Sequence, residues 1–157
     1  MNVLYGYYYY RQDWSSVLEY LNNSMNGEQM VCSMTTQLFH IPATKNLKGN
    51  TEMHIHLVPA SYHRVTALGC AKRLQSGESH ESIIKALVAC VNNGLKQDKE
   101  ITKWLRVMRE NAPREFKGFM DNVIRWQQQT EQSLAYTQQL LRGMGLETES
   151  ETGEPAY

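Results

Sequence analysis

Two histidines separated by one residue, His54-Ile55-His56, are the part of this sequence best suited to chemistry. Imidazole ligates zinc and moves protons near neutral pH. In a strand, residues two apart share a face, so the pair could hold a metal, with Glu52, His40 or His63 as third ligand. The surrounding pattern from Thr51 to Val58 alternates, with Met53, Ile55 and Leu57 on one face and Glu52, His54 and His56 on the other. It predicts a strand stopped by Pro59. A metal-dependent hydrolase centred on that strand is one reading. The simpler one is a solvated polar face, so we expect no catalytic residue, no metal site and no cofactor.

Three other groups of side chains are candidates for contact with a partner. Lys99, Lys103 and Arg106 follow at i, i+4, i+7, with Lys96 just before them, on a helix predicted over 98–111. This basic face lies opposite Ile101, Trp104, Leu105 and Met108. It suits an acidic protein or a phosphate backbone. Arg109, Arg114, Lys117 and Arg125 would extend it if the last helix packs alongside. Near the start, Tyr7 to Tyr10 predict a short strand, and Tyr8 and Tyr10 are candidate contacts because tyrosine is enriched at binding hot spots. Leu134 and Leu141 resume the apolar stripe of the last helix beyond Gln127 to Ser133, a stretch with no apolar residue. They are candidates for self-association or docking through its distal half.

These groups need elements to position them. Asp13 reads as an N-cap, followed by Trp14, Val17, Leu18 and Leu21 at helical spacing. Asn22, Asn23, Asn26 and Gly27 read as its end. Residues 28–41 lack a clean period, and Thr35-Thr36 and Ile41-Pro42 favour a strand there. After a loop and the strand at 51–58, Ser61 opens a helix over about 62–75, broken by Gly77. Ser79 caps a helix carrying Ile83, Ile84, Leu87, Val88 and Val91, with Asn92-Asn93-Gly94 as its stop. Asp98 caps the next. Pro113 sits in the first turn of the last, which runs to Arg142, a span of roughly 42 Å at 1.5 Å per residue.

Composition bounds the answer. The 157 residues suit one domain of 41% hydrophobic and 20% charged residues. No apolar run approaches a membrane span, and the start has neither a basic n-region nor an apolar h-region, so no signal peptide is expected. Cys32, Cys70 and Cys90 have no zinc spacing and read as reduced thiols, which suits the cytoplasm. Formal net charge is zero. Glu147, Glu149, Glu151 and Glu154 lie in the last eleven residues; without them 16 Lys and Arg face 12 Asp and Glu, a net of +4. Glycine-rich phosphate loops, a G-x-S-x-G elbow and a Cys–His pair are all missing.

The sequence thus predicts an α+β protein, predominantly α-helical: a small N-terminal β-containing part (1–59), a helical bundle with a long C-terminal helix (60–146), and an acidic disordered tail (147–157). The leading expectation for function is a non-enzymatic protein-binding protein, an inhibitor or adaptor acting on a macromolecular complex. A phage- or plasmid-encoded anti-defence protein such as an anti-CRISPR is one concrete version. The alternative is a nucleic-acid-binding regulator, touching nucleic acid or a ribonucleoprotein through the basic helix face. A homo-oligomer through the C-terminal helix and no membrane association complete the expectation.

Overall fold

A computed structural model describes residues 3–146, with side chains from Trp14 onward. Four helices carry the described chain: α1 (Val3–Leu38), α2 (Asn50–Gln75), α3 (Glu81–Asn111) and α4 (Lys117–Gly143), with a 3-10 turn at Arg114–Phe116 before the last. They form an all-α bundle in which α1 packs on α2 and α4, and α3 packs on α2 and α4. The expected α+β class is therefore wrong. Among the described residues no strand occurs.

Each expected strand is helix for a reason visible in its buried residues. In α1, from Trp14 onward, the buried side chains are Trp14, Val17, Leu21, Ser24, Glu28, Val31, Thr35 and Leu38. The spacing alternates between three and four, the seam of a helix packed knobs-into-holes. Three of the eight positions are polar, so the apolar residues of 28–41 show no period alone. Gly27, read as a stop, lies inside the helix. Residues 51–58 fail differently. Met53 and Leu57 are buried while Ile55 and Val58 face outward, and apolar residues on both sides of a helix imitate alternation. Pro59 stops nothing; it sits inside α2. The division between residues 59 and 60 thus has no counterpart in the helices.

The same seam runs through the other helices, as in Leu87, Val91, Gly94, Asp98, Ile101 and Leu105 of α3, and Val123, Gln127, Thr130, Leu134 and Thr137 of α4. Asn92-Asn93-Gly94 and Asp98, read as a stop and a new cap, lie within one continuous α3. The tail at 147–157 lies outside the described residues.

The core has two halves. One gathers Trp14 and Leu21 of α1 with Leu74, Leu87 and Leu141. The other gathers Val31 and Leu38 with Met53, Ile101, Leu105 and Met120. The start of α1 thus meets the end of α2, the start of α3 and the end of α4, an up-down-up-down arrangement. The α1–α2 connection is the longest. Thr44 Oγ1 donates to the Leu38 carbonyl at 2.9 Å, closing the end of α1. Asn50 Nδ2 donates to the Thr35 carbonyl at 3.0 Å, tying α2 to α1.

Candidate interaction surface

The histidine pair does not survive as a site. On a helix, residues two apart diverge by roughly 200°. His54 Nε2 turns towards α1 and meets Thr35 Oγ1 at 2.9 Å; His56 Nδ1 turns towards α3 and donates to Gln97 Oε1 at 2.8 Å. Burial holds the His54 pKa below its ordinary value. Among the described residues no three His, Cys, Asp or Glu side chains are arranged to hold a metal ion. The hydrolase reading rested on a strand that α2 replaces.

The outer face of α2 is apolar. Ile55, Val58, Tyr62 and Val65 are 63%, 72%, 67% and 54% exposed. They follow at spacings of three, four and three, one seam on the solvent side of the helix. The outer face of a bundle helix normally carries charge. Here, between Met53 and Ala71, Arg64 is the one Lys, Arg, Asp or Glu, and it is buried. The neighbouring positions are Pro59, Ser61, Thr66 and the histidines. At Gly69 an added Cβ would meet nothing within 4 Å.

The basic face is where the spacing placed it. Lys96, Lys99, Lys103 and Arg106 are all exposed on α3, and Ile101, Leu105 and Met108 are buried behind them. Lys96 and Lys99 border a groove between α3 and α4 that Glu131, Gln138 and Arg142 also line. Lys103 lies over the Trp104 ring, 5.6 Å from its centroid. The proposed extension is partly neutralised, because Arg109 Nε donates to Asp121 Oδ1 at 2.6 Å. The remaining candidates fare differently. Leu134 and Leu141 are core residues, so neither is available to a partner or to self-association through α4. Tyr8 and Tyr10 lie on α1, not on a strand, and before the first described side chain.

Sequence reasoning missed an ionic layer that separates the two halves of the core. Arg64, fully buried on α2, donates from Nη1 to Glu28 Oε1 on α1 at 2.6 Å. Its Nη2 donates to Asp98 Oδ2 on α3, and its Nε donates to Ser24 Oγ at 2.7 Å. Ser24 Oγ passes the chain on to the Thr130 carbonyl of α4 at 2.8 Å. Gln127 Nε2 donates to the Asp98 carbonyl at 3.4 Å. Two acceptors in the layer, Asp98 Oδ1 and Gln127 Oε1, have no hydrogen-bond partner. Burial pushes the Asp98 carboxyl up to about 6, against the pull of the Arg64 charge and hydrogen bond. The layer was detectable as polar residues standing on otherwise apolar seams.

No protein-family model matches the chain, nor does any curated protein or solved structure. Among the described residues no helix is long and apolar enough to cross a membrane.

Proposed function

We propose that this chain is a non-enzymatic protein-binding bundle whose principal docking surface is the outer face of α2. The observation that carries the reading is the stripe of Ile55, Val58, Tyr62 and Val65, held in water on a rigid helix. A contiguous exposed apolar patch on an otherwise polar surface is the kind of feature that marks an interaction site. Its centre is an aromatic ring flanked by branched aliphatics, the composition of an interface anchor. Such a surface suits an inhibitor or adaptor that caps a macromolecular complex, with an anti-CRISPR as one concrete version.

Val58→Glu or Tyr62→Lys places a charge in the stripe without touching the core. The test is capture from a lysate of the native host, split into nuclease-treated and untreated halves. A stoichiometric protein partner that survives nuclease, and that both variants lose while keeping wild-type helicity, is expected. Binding unaffected by either substitution would remove α2 from the reading.

The line of Lys96, Lys99, Lys103 and Arg106 favours a second reading, a nucleic-acid-binding regulator. Phosphate contacts by these groups release counterions, so affinity would fall steeply with salt. Retention of a nucleic acid that Lys103→Glu with Arg106→Glu abolishes, and that weakens as salt rises, supports it. A salt-independent result removes it.

A further inference from the structure

We infer that the occupant of the outer α2 face is a second copy of the same helix, paired antiparallel about a two-fold axis at residue 60. This rests on the proposed docking role of α2 and names its partner. The first support is spacing. Ile55, Val58, Tyr62 and Val65 lie five and two residues on either side of position 60. Reversing one helix against another therefore sets Ile55 against Val65 of the partner copy, and Val58 against Tyr62, in two apolar layers repeated by symmetry. A two-fold interface requires such a self-complementary patch.

Charge is the second support. The strip from Met53 to Ala71 exposes no Lys, Arg, Asp or Glu, so apposing two copies brings no like charges together along it. At its ends, Glu52 stands in the first turn of α2 with Lys48 just before it, and Lys72 stands in the last turn beside Arg73, whose guanidinium is paired with Glu78. Antiparallel pairing brings Glu52 within about one helical turn of Lys72 of the partner copy. Parallel pairing would instead face Glu52 with Glu52 and Lys72 with Lys72. An acidic or basic partner would find nothing on this strip to pair with.

Area is the third. All four residues are more than half exposed and, with their flanks, form the contiguous apolar centre from which each partner's ~800 Å² of a standard interface is built. Pro59, Ser61, Thr66 and the open surface at Gly69 supply flanking contact, and a helix lacking a side chain at Gly69 permits close approach.

The experiment measures the mass of the full chain in solution by light scattering across a concentration series. A mass approaching twice 18.1 kDa is expected for the wild type, with a melting temperature that rises with concentration, and Val58→Glu should be monomeric, unchanged in helicity and with a melting temperature independent of concentration. Geometry is read by oxidative cross-linking on a Cys32→Ser background. Val58→Cys mixed with Tyr62→Cys should give a disulfide-linked heterodimer, and Val58→Cys alone should cross-link weakly. Strong cross-linking of Val58→Cys to itself would overturn the antiparallel geometry. A dimer that persists in Val58→Glu would overturn the assignment of the face. A monomeric wild type overturns the inference outright; if the same protein binds a different partner that Val58→Glu loses, the docking role of α2 stands while the second copy falls.

Discussion

Asp98 is the residue whose surroundings make the sharpest demand. The layer holds one guanidinium and two carboxylates, Glu28 and Asp98, so with both ionised it carries a buried net negative charge. One Asp98 oxygen has no donor. Burial above all raises its carboxyl to about 6 in the fold, against the pull of the Arg64 charge and hydrogen bond, above the value of an exposed aspartate near 3.9. The protonated form is the one that folding favours. Its contribution is fully present below the unfolded pKa and is lost as pH rises through about 6. At pH 7 this amounts to roughly 3 kcal/mol of withheld stability. Asp98→Asn resembles the protonated side chain at every pH. We expect it to be at least as stable as the wild type at pH 7, although it removes an ion-pair partner. The difference between the two proteins should shrink as pH falls from 7 to 4. Chemical denaturation at several pH values measures this. An Asp98→Asn protein several kcal/mol less stable at pH 7 would mean that the ionised carboxylate is needed.

The helices show why so much of the sequence misled at the scale of elements. Trp14, Val17 and Leu21, and the stripe of Ile83, Leu87 and Val91, were legible as helix because their inward positions are apolar; Asp13 and Ser61, read as helix starts, lie inside α1 and α2. Gly27, Gly94 and Asp98 read as punctuation and Gln127 as part of a stretch without apolar residues, yet all lie near one level of the bundle. There the core is polar and the helices approach closely. The exposed stripe on α2 hid its helical period by giving it a second apolar side. Of the surfaces, the basic line on α3 was legible because its period is clean; the α2 face was not. Gly27 shows what close approach requires. A Cβ added there would lie 2.0 Å from Thr130 Oγ1, whereas one added at Gly118 of α4 meets nothing within 4 Å. Alanine in a helix gains up to about 1 kcal/mol over glycine. Gly118→Ala should therefore raise the melting temperature. Gly27→Ala should lower it, because α1 and α4 must part or Thr130 must abandon its rotamer and its 2.7 Å bond to the Trp126 carbonyl. Thermal unfolding of the two variants side by side reads the contrast. A stabilised Gly27→Ala would show that the α1–α4 spacing is loose.

For the whole molecule, the ionic layer answers a problem that four similar seams create. Apolar residues repeating every three and four positions would let one helix slide by a heptad against its neighbours and still bury its stripe. Arg64 forbids that slide, because its three donors reach Ser24, Glu28 and Asp98 on two other helices at one level. Any shifted register would bury at least one of these charges alone. Register specification and stability are separable by substitution. Arg64→Met alone leaves two carboxylates without their cation and should cost about 3–5 kcal/mol. Replacing the whole set, as Glu28→Leu, Arg64→Met and Asp98→Leu together, removes the desolvation cost with the charges. It should leave the bundle as stable as the wild type or more stable by about 1–4 kcal/mol. The expected loss is in uniqueness, seen as broadened or doubled amide resonances and a lower unfolding cooperativity. A triple variant as cooperative and well dispersed as the wild type would mean that packing at Gly27, Gly94 and the two core halves sets the register unaided. One that matched the cost of Arg64→Met would show that the layer stabilises the bundle outright.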